Sequence, residues 1–114
     1  MNAKPIIHVS HLLHESAVMG RHSGRLIREG VVHALETEEN VVVDFLGVEM
    51  LTQSAADEFI GRIVRQHFAL VARISFAHCS REVAEMLQWA AEQANAVFQS
   101  EGETIPAESM VEHK

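Results

Sequence analysis

The stretch Val41-Val-Val-Asp-Phe-Leu-Gly-Val-Glu-Met-Leu-Thr-Gln-Ser-Ala-Ala-Asp-Glu-Phe-Ile60 decides how the rest of the chain is read. Its first five residues, Val41 to Phe45, are apolar apart from Asp44. A run this continuous is unlike a half-exposed strand and fits a central strand covered on both faces. Leu46 to Gln53 reads as a loop, with Gly47 at a turn. Near Ser54 the period changes. Ala56, Phe59, Ile60, Ile63, Val64 and His67 fall on one side of a helix, and Asp57, Glu58, Gly61, Arg62, Arg65 and Gln66 on the other. The hydroxyl of Ser54 therefore sits at a strand-to-helix junction.

Working outward, Pro5 to Leu13 starts with β-branched residues (Ile6, Ile7, Val9) and reads as a first strand, followed by a loop from His14 to Gly20. From about Ser23 a helical stripe runs through Leu26, Ile27, Gly30, Val31, Ala34 and Leu35, and Thr37 to Asn40 closes it. Downstream, Arg73 to Ala77 is a third strand. A third helix runs from about Ser80 to Phe98, with Val83, Leu87, Ala90, Ala91 and Ala94 inward. Strand alternating with helix predicts an α/β fold: a small, mostly parallel sheet with about three helices packed on it. Residues 1–98 form the expected domain; residues 99–114, polar and acidic with Pro106, show no sustained period and read as a loose tail.

The 114 residues suit one domain, and 47% apolar content is enough for a core. No run of 18 apolar residues occurs, so no membrane span is expected. Met1 to Pro5 has no long apolar segment of the signal-peptide kind, and Cys79 is the single cysteine. Both features point to a cytoplasmic setting. Nine basic against 16 acidic residues, a net charge of −7, argue against nucleic-acid binding.

In a parallel α/β sheet the functional edge lies at the carboxyl ends of the strands. Three junctions are expected to gather there: Gly20-Arg-His-Ser-Gly-Arg25, Glu49-Met-Leu-Thr-Gln-Ser54 and His78-Cys-Ser-Arg81. Each places a serine (Ser23, Ser54, Ser80) at a helix start, where unpaired amides and the dipole favour an anion. Arg21, Arg25 and Arg81 would add positive charge. The rim so defined comprises Arg21, Ser23, Arg25, Thr52, Gln53, Ser54, Asp57, Ser80 and Arg81. Plain capping is the preferred reading of Ser23 and Ser80, since a serine oxygen accepts an orphan amide, while Ser54 is open to capping or a further role.

Asp44-Phe-Leu-Gly-Val48, followed by Leu51-Thr-Gln-Ser-Ala-Ala-Asp-Glu58, resembles the STAS-like domains of unknown function found in bacteria. The resemblance continues through Arg21-His-Ser-Gly-Arg25 and Ser80-Arg-Glu-Val83. These domains look like short relatives of the STAS fold of anti-sigma-factor antagonists. The resemblance implies a regulatory protein-interaction module with no cofactor. Its partner would be another protein, of the histidine-kinase-like ATPase type, that phosphorylates a serine. That serine falls on Ser54. The antagonists' preceding aspartate falls on Thr52, their first serine on Gln53 and their glycine on Ala55. Asp57 and Glu58, within one turn of Ser54, would repel a phosphate there.

Other constellations carry less. His8, His11 and His14, spaced by three on a strand and loop, are not expected to converge, and no metal site is expected among the eight histidines. Asp44 is expected to organise the loop that follows it. Cys79 reads either as a thiol activated by a helix start and Arg81 or as a small buried residue. Nothing supports an enzyme beyond single residues. Trp89 falls on a polar helix face, which fits a partner or homodimer surface, or cover by the tail. The alternative to protein docking is a small-ligand or nucleotide module using the same anion-friendly edge.

Overall fold

The computed structural model describes residues 4–100, and their side chains as far as residue 96. Of the predicted tail, residues 99–114, Gln99 and Ser100 continue the last helix, and the rest lies outside the described residues. The principal sheet has three parallel strands: β1 (Ile6–His8), β3 (Val41–Asp44) and β5 (Ile74–Ala77), with β3 in the centre. A second parallel pair joins β2 (Ala17–Val18) to β4 (Met50–Leu51). The helices are α1 (Val9–Leu13), α2 (Gly20–Leu35), α3 (Gln53–Ala56), α4 (Arg62–Gln66) and α5 (Arg81–Ser100). A π-helical turn (Asp57–Gly61) joins α3 to α4, so residues 53–66 form one continuous helix. A 3-10 turn (Phe68–Arg73) leads into β5.

The three predicted strand-helix alternations are present, with local departures. Val9–Leu13 is helical where the sequence suggests a continuing strand. The segment read as a loop from His14 to Gly20 contains β2, and α2 begins at Gly20 rather than Ser23. A two-residue strand leaves too little alternation to be visible as a pattern.

Register and alternation explain the layering. Val43 pairs with Ile7 on one side and Phe76 on the other, so these share one face with Val41, Phe45, Ile74 and Val9. Most of that face is buried together with Ile27, Val31, Phe59, Ile63, Val83 and Leu87 from the helices. The opposite face carries Ile6, His8, Val42, Asp44, Ser75 and Ala77. Ile6 is 52% exposed, and His8 and Ser75 are exposed too. The sheet is therefore covered on one face, not two. Val42 is only half-buried, and the apolar run misleads because Asp44 is sealed by side chains rather than by a helix.

Helix α2 and the helix of residues 53–66 are packed unusually closely. A Cβ on Gly24 would lie 2.2 Å from the carbonyl oxygen of Ala55. Arg73 ties the other end of α2 by donating to the carbonyls of Leu35, Glu38 and Glu39, which leaves fewer orphan acceptors at the helix end. In α5, Val83, Leu87, Ala90 and Ala94 face the core as the period predicts. Replacing Gly24 by alanine sets a helix-propensity gain of about 1 kcal/mol against a backbone clash that a rigid neighbour cannot relieve. Overpacking costs ~1–3 kcal/mol and more where backbone must move. Gly24→Ala is expected to lose stability on the order of 2 kcal/mol, read as a lower urea midpoint; an unchanged or higher midpoint would show that the helices part without cost.

Candidate functional site

Two of the three predicted junctions are brought together, and β2 and β4 do it. Val18 pairs with Leu51, and the Thr52 amide donates to the Val18 carbonyl. The starts of α2 and α3 therefore lie side by side. Thr52 is the residue they share. Its Oγ1 accepts the Ala55 amide at 3.4 Å, as N-cap of α3, and also the Gly20 amide at 3.2 Å. Gly20 has φ +82°, which suits glycine at this sharp entry. Ser54 is therefore not the cap. It is the second residue of α3, half-buried, with Oγ 3.4 Å from Thr52 Oγ1. Ser23 lies inside the first turn of α2, whose N-cap is Met19. Gln53 is exposed beside Ser54.

The charges behind this rim are already matched. Arg21 donates to Asp57 Oδ2 at 2.9 Å and to Glu58 Oε1 at 3.0 Å. Arg28 donates to Glu58 Oε2 at 2.8 Å and to the Glu58 carbonyl at 2.6 Å. Arg65 reaches Asp57 Oδ1 at 2.9 Å, and Arg62 lies 3.7 Å from Glu58. Glu58 is buried. The Arg28 bond, with Arg21, holds its carboxyl below the ordinary glutamate range against the opposing effect of burial. Arg65 and Arg21 do the same for Asp57. Reciprocally, Asp57 and Glu58 push the Arg21 guanidinium further up. Two corrections follow. Arg21 is held by carboxylates rather than presented to an anion. The carboxylates expected to repel a phosphate at Ser54 are themselves paired with guanidinium groups.

Arg25 is exposed on α2, where it donates to His22 and lies 4.0 Å from Glu29. At the third junction the polar groups are engaged locally. Ser80 caps α5 by accepting the Val83 amide at 3.1 Å, and Arg81 pairs with Glu85 one turn on. Missing from the sequence reading are Met19 and Met50, 55% and 44% exposed. Register places Met50 beside Ala17, and extended backbone at Met19 continues that face toward Thr52. Two exposed methionines thus flank the paired helix starts. The signal was β4 itself, too short to see.

A second cluster lies at the carboxyl end of the principal sheet. His8 stands directly across from Asp44 in the β1–β3 register, and its Nδ1 lies 3.0 Å from Asp44 Oδ2. His78, just past β5, places Nδ1 2.9 Å from Asp44 Oδ1. The Leu46 amide also donates to Oδ1, so Asp44 does organise its loop as expected. Chiefly through the His78 bond, the Asp44 carboxyl sits below its ordinary range despite burial. His8 and His11 also lie close, ring centroids 5.1 Å apart. The expectation that His8, His11 and His14 do not converge is corrected for His8 and His11, and the parallel strands also bring His8 and His78, from different elements, to one carboxylate. Among the described residues no group of three or more His, Cys, Asp or Glu is placed to hold a metal ion.

Burial, with Asp44 nearby, pushes the Cys79 thiol up, which favours the buried-residue reading over an activated thiol. His67 follows the end of α4 and is exposed rather than on an apolar face. With His33 and Arg28 it lines a cavity of about 310 Å³ toward the carboxyl ends of α2 and α4, away from the rim. Trp89 is 37% exposed on α5; the tail residue Ile105, and the side chains of Val97 and Phe98, expected as its cover, lie outside what is described. Among the described residues no helix is long and apolar enough to cross a membrane.

The family described as a STAS-like domain of unknown function (DUF4325) matches residues 23–84, more than half of the chain, and the chain belongs to it. The matched span contains α2 without its first three residues, β3, Asp57 and Glu58, and the Asp44 cluster with the exception of His8; Arg21 lies just outside it. No curated protein and no solved structure shows a significant match to the chain.

Asp44, Asp57 and Glu58 all hold protons less readily folded than unfolded. The unfolded chain binds more protons, so stability rises with pH through this region. The contribution is complete above the ordinary carboxylate range, about pH 4, and is lost as pH falls through the lowered folded values. Glu58→Gln removes one such group and leaves Arg28 without its buried counter-charge. It is expected to cost on the order of 3 kcal/mol at neutral pH and to give a shallower fall in urea midpoint between about pH 5 and pH 2. An acid slope as steep as that of the natural chain would mean that Glu58 is not one of the groups responsible.

Proposed function

We infer that this domain is a non-enzymatic regulatory module that docks a protein partner through the rim where α2 and α3 begin. One observation carries the reading: Met19, just past β2, and Met50, in β4, are both about half exposed and flank the shared Thr52 and the neighbouring Ser54. Methionine adapts its shape to an incoming surface and is favoured at docking sites. Exposed apolar groups beside hydroxyls at two helix starts offer both affinity and orientation.

Likeness to anti-sigma-factor antagonists supports a cytoplasmic ATPase of the histidine-kinase-like type as the partner, with Ser54 as phosphoacceptor. A phosphate there would carry about −1.5 to −2 charges. Because Asp57 and Glu58 are held by four arginines, the repulsion it meets is reduced. The modification would change the charge of the rim without requiring the buried network to break. Trp89 supplies a separate surface through which a homodimer would form.

Pull-down from cells of the natural source, using the natural chain, a Met19→Ser/Met50→Ser double variant and Ser54→Asp, tests this. Loss of about tenfold or more in recovered partner with the double variant is expected, as for a disrupted interface hot spot, with Ser54→Asp altering recovery in either direction. Equal recovery by all three would remove the rim from the interface. Phosphate on Ser54, absent from Ser54→Ala, is the expected result of mass spectrometry on the native protein. A thermal shift of several degrees with one nucleotide or small phosphorylated compound would instead favour a ligand-binding module at the same edge. Scattering at two concentrations reads the homodimer.

A further inference from the structure

The Asp44 cluster lies on the open face of the sheet, apart from the docking rim, and its chemistry is set by one carboxylate. Asp44 is buried and ionised, and an ionised carboxylate can only accept hydrogen bonds. Both contacting imidazoles must therefore donate from Nδ1. In the neutral ring this fixes the proton on Nδ1 and leaves Nε2 with a lone pair directed away from Asp44. The two rings engage different oxygens and approach from opposite neighbouring strands. Among the described residues no group of three or more His, Cys, Asp or Glu is placed around them to hold a metal ion. Each is instead a nitrogen nucleophile with its tautomer set by a buried acid.

His78 is the better placed of the two. Its side chain is 62% exposed, against 47% for His8, which also packs on the His11 ring. Its backbone has φ +55°, a conformation uncommon outside glycine, which is held while the ring meets Asp44. Attack by Nε2 on an electrophile turns the neutral ring into a cation shared between both nitrogens. A carboxylate on Nδ1–H stabilises that charge as it develops, as a buried aspartate does for a catalytic histidine. Among the described residues this sheet face is open, with Ser75 and His8 exposed. An open nucleophile suits transfer from a group carried on a macromolecule better than turnover of a small substrate, which needs enclosure.

We propose that His78 is a phosphoryl-acceptor histidine, taking a phosphoryl group on Nε2 from a phosphoramidate-type donor, the phosphohistidine of a partner protein. The Nε2 lone pair forms the new N–P bond. The donor's P–N bond breaks with its electron pair leaving on the donor nitrogen, which keeps or takes up a proton. Nothing is oxidised or reduced. Asp44 acts as a positioning residue throughout and keeps its charge, while His8 holds its other oxygen. This proposal does not depend on the rim or on Ser54.

Potassium phosphoramidate is the probe, used on the full chain at neutral pH. The readouts are the 31P resonance of an N–P bond, its lability in acid, and site assignment by tandem mass spectrometry. His78 is expected to label about tenfold or more faster than His33, whose side chain is 86% exposed and whose ring has no comparable buried carboxylate. Asp44→Asn is expected to slow His78 by about ten- to a hundredfold without changing His33, and His78→Gln to abolish that label. Equal rates at His78 and His33, or a His78 rate unmoved by Asp44→Asn, overturns the proposal. If Asp44→Asn does not fold, the ratio of the two rates in the natural chain decides by itself.

Discussion

The close approach of Gly24 to the backbone of Ala55 is the constraint on which the rest of the structure depends. With no side chain between them, α2 and the helix of residues 53–66 meet near their starts. Only at that separation can Arg21 and Arg28, on α2, reach Asp57 and Glu58 on the facing helix. The same approach lets one hydroxyl, that of Thr52, serve an amide in the first turn of each helix. Packing thus comes first and the polar network follows from it. A buried ion pair alone is weak evidence of stability, since desolvation offsets much of its attraction. Here Glu58 accepts from Arg28 and Arg21 with Arg62 close by, so its burial is compensated by several partners rather than one.

That network also decides what the rim can do. On sequence alone the helix starts, serines and arginines suggest a site for an anion. In the structure the arginines nearest the rim are engaged: Arg21 with two carboxylates and Arg25 with His22, close to Glu29. What the rim offers outward is thioether, hydroxyl and amide. Such a surface is suited to a protein partner, whose backbone and side chains can meet all three, and less suited to a small anion that needs unpaired cations.

The main elements were legible because they are long or strongly patterned. The period of Ile27, Val31 and Leu35, the run from Val41, and the spacing of Val83, Leu87, Ala90 and Ala94 all report burial directly. The short elements were not. β2 and β4 are two residues each, below the length at which alternation can show, yet they assemble the rim. Thr52 belongs to the rim on sequence alone, but its capping role is hidden there because Ser54 stands at capping-box spacing from an acidic residue, Asp57, and Thr52 does not. Asp57 and Glu58 read as a solvated face because a period of 3.6 assigns positions to sides without saying what lies opposite. His8 and Asp44 met for a reason sequence can supply only after topology: both end parallel strands in matching register.

The rim and the histidine cluster are joined by residues 44–52, and this connector is tied down along its length. Asp44 Oδ1 accepts the Leu46 amide, and the Phe45 amide donates to Ala77. The Val48 amide returns to Phe45, the Glu49 amide bonds to Ser16, and the Thr52 amide to Val18. Gly47, at φ +86°, makes the one turn that other residues would resist. The two ends of this path have different dependencies. Asp44 is fixed by side chains that solvent can reach, His8 and His78; Thr52 is fixed by backbone amides at two helix starts. A change at the imidazoles therefore acts first on the charge of Asp44 and on the loop bond to Leu46. It reaches Thr52 only through the backbone bonds to Phe45, Ser16 and Val18, each of which pins the connector to a different part of the fold. The same stitching that positions the rim thus insulates it from the open sheet face.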